Sequence, residues 1–227
     1  MFTGSVRAGL ADVAPSGRVR LDALARWIQD VSYADMEAAG LADLAVWVIR
    51  RMRISVARFP RFGEHFALQT FCSGLGRMWA ERRTTIASGD DGPDAVQAVT
   101  LWVHLDPAGQ RPTPLLPQEI DTFAEAASGR RVTARLRHPR PQALVDGRPW
   151  RFRYIDCDLA GHVNNSAYLQ PLEEKLLRDG GSEPERLDVE IEFRNPAQPG
   201  EKMVLRDGSR RWIVGDGETH ASIVVVD

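Results

Sequence analysis

The hydrophobic positions in the first half of the chain predict one long helix followed by four strands. Trp27, Ile28 and Val31 recur at the three- and four-residue spacing of an amphipathic helix. They belong to a pattern over residues 21–40 that ends at Gly40, a residue suited to a left-handed helix cap. Alternating apolar and polar residues between glycine and proline turns then predict strands at 46–59, 64–74, 78–88 and 95–106.

The second half of the chain repeats this order of elements. A strand near 151–155 precedes a polar turn, and the turn precedes a helix over 164–178. Further alternating segments predict strands at 187–194, 202–206, 211–214 and 219–226. Two copies of one unit, each a long helix wrapped by an antiparallel sheet, are therefore expected, which is an α+β fold.

Prolines separate the two copies. Four of them fall between residues 107 and 117, and Pro139, Pro141 and Pro149 follow after a short helical segment near 118–127. The sequence therefore predicts an N-terminal unit at 1–110, a proline-rich linker with one short helix at 111–147, and a C-terminal unit at 148–227.

The residues before each long helix support the repeat. Residues 12–19 can be laid over residues 156–163, with the first aspartate, the glycine and the valine identical. Ala14 then corresponds to Asp158, and Arg18 corresponds to His162. Because the reactive side chains occur in one copy, we expect the C-terminal half to carry the chemistry and the N-terminal half to shape the binding site.

The turn at 156–165 brings a carboxylate, an imidazole and two amides together. Gly161 permits a tight turn, so Asp158 and His162 can converge, with Asp158 as base or nucleophile and His162 as its helper. The helix that starts near Val163, Asn164 and Asn165 would direct backbone N–H groups at a developing oxyanion. Such a site suits acyl transfer to water. The alternative is that Asp158 and the asparagines merely cap the helix.

Composition narrows the classes of function. A net charge of −2 argues against nucleic-acid binding, and no run of 18 apolar residues or apolar leader segment is visible, so we expect a cytoplasmic protein that does not enter the membrane. Cys72 and Cys157 are the two cysteines, and their spacing predicts neither a disulfide nor a metal site. Cys157 is better explained as a small apolar residue than as a nucleophile.

Three motifs resemble those of one enzyme family. The turn and helix start at 156–168 read Asp-x-Asp-x-x-Gly-His-Val-Asn-Asn-x-x-Tyr, which is similar to the signature of hotdog-fold thioesterases. The segment 47–64 and the strand at 100–103, with Arg111, Pro112 and Pro117 after it, are similar to segments of the acyl-acyl carrier protein (acyl-ACP) thioesterases of plants and bacteria. The resemblance covers almost the whole chain and implies a tandem, or double, hotdog fold.

The resemblance also implies catalytic residues. The family's catalytic aspartate falls on Asp158 and its catalytic histidine on His162. Two departures occur, because Ala160 stands where the plant enzymes have an asparagine and Pro196 stands where they have a glutamate. The Asp–His core is kept, and the asparagine and glutamate of the plant-type network are replaced.

The implied reaction is hydrolysis of a fatty acyl thioester on acyl carrier protein, without a metal or cofactor. The acyl tail is expected against the N-terminal helix near Trp27, Ile28 and Val31, and a homodimer is compatible with the resemblance. An acyl-CoA thioesterase, or a catalytically weak acyl-carrier or acyl-binding module, remain alternatives. Candidates for a basic face that docks the acidic carrier are Arg50, Arg51, Arg53, Arg58 and Arg61, or Arg130, Arg131, Arg135, Arg137 and Arg140.

Overall fold

The computed structural model describes residues 1–88, 92–108, 111–142, 146–178 and 183–226. Within these residues the chain forms ten strands and three α-helices, and none of these helices is both long and apolar enough to cross a membrane. In chain order the elements are β1 (Phe2–Arg7), α1 (Leu21–Ala38), β2 (Val46–Val56), β3 (His65–Leu75), β4 (Trp79–Ser88), β5 (Asp94–Leu105), α2 (Pro117–Ala127), β6 (Asp146–Phe152), α3 (Gln170–Arg178), β7 (Leu187–Phe193), β8 (Gly200–Asp207), β9 (Arg210–Gly215) and β10 (Glu218–Val226).

All of these strands belong to one antiparallel sheet. The strand order is β1-β3-β4-β5-β2-β7-β10-β9-β8-β6, so the five strands of each half are mirrored about the β2–β7 pair. Met52 of β2 lies opposite Ile191 of β7 at this central seam. The sheet order confirms the α+β class and the tandem repeat, because each half contributes the same five strands around one helix.

The helices of both halves share one core against the sheet. Leu24 and Ile28 of α1 belong to the same buried cluster as Leu169 and Leu172, which lie just before and within α3. Ile54 and Ile191 complete this cluster from the sheet. Burying each such side chain stabilises the fold by about 1.5–3 kcal/mol before entropy costs. The two halves are therefore held together by a continuous apolar interior.

The structure differs from the predicted elements at three places. Strand β1 was not predicted, since its six residues include Gly4 and it lies at the edge of the sheet, where it pairs with β3. The strand predicted at 151–155 lies earlier, as β6, and Tyr154–Asp156 forms a 3-10 helix. The helix of the second half begins as a 3-10 helix over Asn165–Leu169 and becomes α-helical at Gln170. Pro171 explains this delay, because it has no N–H to donate.

The segment between the halves crosses from one to the other. Helix α2 packs on β3, and Leu75 pairs with Arg131 in an isolated bridge. Farther along, the Glu192 side chain accepts the backbone N–H groups of Arg137 and His138 at 2.5 and 3.0 Å. Positions 109–110 and 143–145, at the edges of the predicted linker, lie outside the described residues, and its bounds stay a prediction.

Candidate active site

The turn before the helix of the second half, which starts at Asn165, is a closed loop. It spans residues 156–164, and we call it the second loop. Cys157 pairs with Val163 in an antiparallel bridge, and the Asp158 N–H donates to the His162 carbonyl at 3.1 Å. The Gly161 N–H donates to the Asp158 carbonyl at 3.0 Å, with Gly161 at a φ of 75°. This left-handed conformation favours glycine. The loop backbone is thus fixed by its own hydrogen bonds.

Asp156 anchors the loop to the strand before it. Its carboxylate accepts the Arg153 N–H at 2.7 Å and pairs with the Arg153 guanidinium at 2.9 Å. Burial raises the pKa of Asp156, but the hydrogen bonds from Arg153 outweigh burial and hold this pKa below its usual value. Asp156 is therefore a structural carboxylate.

Asp158 presents an exposed carboxylate whose two oxygens are held by the loop. One accepts the Ala160 N–H at 2.9 Å, and the other accepts the Asn164 amide at 3.0 Å. The Asn164 oxygen in turn accepts the Ser166 N–H at 2.9 Å, so Asn164 caps the helix start and Asp158 does not. The capping role therefore belongs to Asn164 and not to Asp158.

The imidazole of His162 lies apart from this carboxylate. His162 is half-buried, and its Nδ1 is covered and has no hydrogen-bond partner among the described residues. In the same part of the chain no hydrogen bond joins the His162 side chain to Asp158. The structure therefore brings Asp158 and Asn164 together, and leaves the expected Asp158–His162 contact unmade.

The backbone N–H groups of the helix start differ in their availability. The Val163 N–H donates to Ala197 and the Asn164 N–H donates to Asp156, at 2.9 and 2.8 Å. These two groups are thus engaged, which corrects the expectation that they face an oxyanion. Within the described residues the Asn165 N–H donates no hydrogen bond, so it is the free donor of the three.

A cavity of about 590 Å³ opens beside Asp158 and runs between the halves. The second loop contributes Asp158, Leu159, Ala160 and Asn164 to its wall. Trp27, Ile28 and Val31 are buried in the core, and none of them lines this cavity. The α1 residues that do line it are Gln29, Asp30, Ser32, Tyr33 and Met36, and the rest of the wall includes Trp47, Ala80, Arg82, Trp102 and Phe123.

Gln29 and Arg82 are among the polar residues of the cavity wall that were missed from sequence. Gln29 donates to the Asn164 side-chain oxygen at 3.3 Å, across the boundary between the halves. Arg82 is paired with Asp35, lies 5.8 Å from the Phe123 ring centroid, and has its pKa lowered to about 10 by burial. No local signal marked them, because Gln29 is followed by Asp30 and Arg82 lies between Glu81 and Arg83, as residues on a solvated face would.

Away from the cavity, one group of potential metal ligands converges within the described residues. His138, Glu190 and Glu192 bring their ligand atoms within 4.8 Å of one another. The His138 Nε2 lies 3.1 Å from Glu190, and this hydrogen bond is the main cause that lowers the pKa of Glu190. Because Glu192 also accepts backbone N–H groups of the linker, the group is explained by structural hydrogen bonds.

The corresponding loop of the first half, residues 12–20, has the same backbone. We call it the first loop. Val13 pairs with Val19, and the Ala14 N–H donates to the Arg18 carbonyl at 2.7 Å, as Asp158 does to His162 at 3.1 Å. Gly17 has a φ of 82°, matching Gly161. The alignment of the two loops made from sequence is therefore confirmed.

The side chains of the first loop are used differently. Arg18 is 2% exposed and is paired with Glu173, itself 3% exposed, and with Glu183. Arg20, which corresponds to Asn164, is bonded to Asp22 at 2.9 Å. The first loop is thus a structural joint, and the second loop is the one with an exposed carboxylate at a cavity.

Comparisons with known proteins agree with this architecture. The acyl-ACP thioesterase N-terminal domain model matches residues 3–123, and the C-terminal domain model matches residues 145–214. An uncharacterized protein of Mycobacterium tuberculosis is 25% identical over 232 residues, which cover 99% of this chain and 91% of that protein. Oleoyl-acyl carrier protein thioesterase 1 of Arabidopsis thaliana is 22% identical over 67% of this chain and 45% of its own length.

The fold is similar to that of solved thioesterases. An acyl-ACP thioesterase from Bacteroides thetaiotaomicron superposes with a TM-score of 0.79 at 17% identity, covering 99% of this chain and 96% of that one. This likeness supports the tandem hotdog fold. Together with the two family models, which span both halves in order, it identifies the chain as a member of the acyl-ACP thioesterase family.

Proposed function

We propose that this protein hydrolyses fatty acyl thioesters of acyl carrier protein to free fatty acid and carrier thiol, with Asp158 as the acting group. The observation that carries the proposal is the exposed Asp158 carboxylate, held by Ala160 and Asn164 at an apolar-walled cavity. Membership in the acyl-ACP thioesterase family supports the same reaction.

Two versions of the chemistry fit this site. As a base, Asp158 takes a proton from water, and the hydroxide attacks the thioester carbonyl carbon. As a nucleophile, Asp158 attacks that carbon itself, and water later hydrolyses the resulting anhydride. In either version the C–S bond breaks and the carrier leaves as its thiolate, which takes up a proton. The Asn165 N–H is the proposed donor to the oxyanion of the tetrahedral intermediate.

The geometry supports a larger role for Asp158 than for His162. Asp158 lines the cavity, whereas His162 is absent from the cavity wall as the described residues define it. We infer that His162 acts without contacting the substrate, by stabilising the negative charge that the site carries during the reaction. Replacing His162 is therefore expected to cost less activity than replacing Asp158.

The acyl tail is proposed to lie along the α1 residues that face the cavity. Tyr33 and Met36 lie one and two turns beyond Gln29, so together with Phe123 they form an apolar path of roughly 10 Å from the catalytic side. The family implies this substrate class, and the chain adds a buried Arg82 near the far end of that path. Trp27, Ile28 and Val31 support the tail from the core rather than by contact.

One observation favours a protein carrier over coenzyme A. Tyr154, Ile155 and Leu159 are 86%, 79% and 108% exposed, and Leu159 also lines the cavity. Exposed apolar side chains grouped at one place are typical of protein contact surfaces. A carrier protein would cover them while its acyl arm enters the cavity.

The test compares three thioesters with the same acyl group, on acyl carrier protein, on coenzyme A and on pantetheine. Thiol release is expected to be fastest from the carrier protein. Ile155→Ser should lower kcat/KM for the carrier thioester by about tenfold and leave pantetheine thioester turnover unchanged, because Ile155 is exposed and does not line the cavity. Leu10→Ser is the matched control, since Leu10 is 81% exposed beside the first loop. Equal rates on all three thioesters would refute the carrier assignment, and no release from any would refute hydrolysis.

A further inference from the structure

Gln29 and Glu173 occupy corresponding positions in the two halves. Gln29 lies eight residues after Leu21, where α1 starts, and Glu173 lies eight residues after Asn165, where the second helix starts. Each side chain reaches the loop of the other half. Gln29 donates to Asn164 at 3.3 Å, and Glu173 is paired with Arg18.

Glu173 accepts a backbone hydrogen bond at the start of the opposite helix, and Gln29 does not. The Glu173 Oε2 accepts the N–H of Leu21, the first residue of α1, at 3.0 Å. The corresponding N–H in the other half belongs to Asn165, which donates no hydrogen bond within the described residues. A carboxylate oxygen thus accepts, in the first half, the helix-start N–H whose counterpart in the second half has no acceptor among the described residues.

The contact between Glu173 and Leu21 resembles the contact an oxyanion would make. A negatively charged oxygen accepting the first N–H of a helix is the same interaction that stabilises a tetrahedral intermediate at an oxyanion hole. In the catalytic half the neutral amide of Gln29 is turned to Asn164, which itself holds Asp158 at 3.0 Å. Gln29 thus adds no negatively charged acceptor near the start of this helix, and the Asn165 N–H keeps no acceptor among the described residues.

We propose that Gln29 is a positioning residue of the catalytic site, contributed by the N-terminal half. Its amide supports Asn164 and so Asp158, and its lack of charge keeps the Asn165 N–H free for the thioester oxygen. The inference rests on the proposed hydrolase function and extends it, because the reacting centre then needs both halves of the chain.

The decisive variant is Gln29→Glu, which converts this position to the residue found in the structural half. The new carboxylate should accept the Asn165 N–H as Glu173 accepts that of Leu21. We expect kcat for acyl-carrier thioesters to fall about 100-fold at about pH 8. A loss of this size is typical when one hydrogen-bond donor to the oxyanion is removed. The melting temperature should stay equal to the wild type or rise.

The pH dependence separates this account from a merely structural role. At about pH 5 a glutamate begins to protonate and loses its charge, so the ratio of variant to wild-type kcat should recover. Gln29→Ala, which frees Asn164 without adding a charge, should lower kcat by about tenfold with KM within about twofold. Glu173→Gln is the reciprocal control, and it should lower the melting temperature while kcat stays within about twofold.

The possible outcomes are distinct. Gln29→Glu with kcat within about threefold of the wild type overturns the inference. So does a loss of kcat whose ratio to the wild type is the same at both pH values, or one that accompanies a lowered melting temperature. If the wild type itself releases no thiol from any thioester, the proposed function fails, and the inference fails with it for that separate reason.

Discussion

The first and second loops have one backbone and opposite uses. Both are closed by the same pair of loop hydrogen bonds and both turn at a left-handed glycine. In the first loop a buried arginine is neutralised by two glutamates, and in the second an exposed aspartate is held by an amide. The difference teaches that one turn geometry serves both halves, while the side chains placed on it differ, with Asp158, His162 and Asn164 standing where the first loop has Ala14, Arg18 and Arg20.

Removing Arg18 should produce the largest effect of the substitutions that probe this contrast. Arg18→Ala leaves Glu173 buried without its main cationic partner and removes the guanidinium that lies 4.5 Å from the Phe59 ring centroid. The free energy of unfolding should fall by about 3–5 kcal/mol, measured by urea denaturation. His162→Ala, at the corresponding position, should cost less than about 1 kcal/mol. Equal losses for both variants would contradict the division of roles.

Replacing Asn164 should affect catalysis more than stability. Asn164→Ala removes the amide that holds Asp158, so kcat should fall by about 10- to 100-fold from misplacement of the carboxylate. The lost helix cap should cost about 1 kcal/mol of unfolding free energy. Arg20→Ala, at the matching position of the first loop, should leave kcat within about twofold. A kcat loss in both variants would indicate a general effect of loop disruption.

The pH dependence of stability should reveal Asp156. Because its pKa is held below the usual value in the folded chain, its carboxylate stabilises the fold above the unfolded pKa of about 3.9. That contribution is lost as the pH falls through the lower folded pKa. The unfolding free energies of wild type and Asp156→Asn should therefore differ at neutral pH and converge in acid. A difference that persists in acid would contradict the assignment.

The smallest effect is expected at Cys157, which corresponds to Val13. Cys157→Val imports the residue of the first loop into the second and should leave kcat within about twofold, since the thiol is paired only weakly with the Arg153 carbonyl at 3.9 Å. Thiol-release kinetics check this outcome. A loss comparable to that of an Asp158 variant would instead establish Cys157 as the nucleophile.

Local patterns predicted most of the fold and one part of the site. Alternation and helical spacing located α1 and the long strands, and the alignment of the loops anticipated their common backbone. Strand β1 was not predicted, because it is short and lies at the sheet edge, where its pairing with β3 decides its structure. Local sequence placed Asp158 at a loop, and tertiary structure had to supply the cavity beside it.

The remaining site residues could not be predicted because their contacts are long-range. Gln29 meets Asn164 across 135 positions of sequence. The helical periodicity of α1 marked Trp27 and Ile28, which face the core, whereas the cavity lies along the more polar side that carries Gln29 and Tyr33. A hydrophobic pattern identifies which residues leave water, but it does not separate a packed core from a ligand cavity.

The most direct test of the account is thiol release from a fatty acyl-carrier thioester by the wild type and by Asp158→Asn. Asparagine keeps the size of the side chain and removes its charge and basicity. The account predicts measurable wild-type hydrolysis and a loss of about 10²- to 10⁴-fold in kcat for the variant, with an unchanged melting temperature. A folded Asp158→Asn protein that hydrolyses the thioester as fast as the wild type would contradict the central role of Asp158.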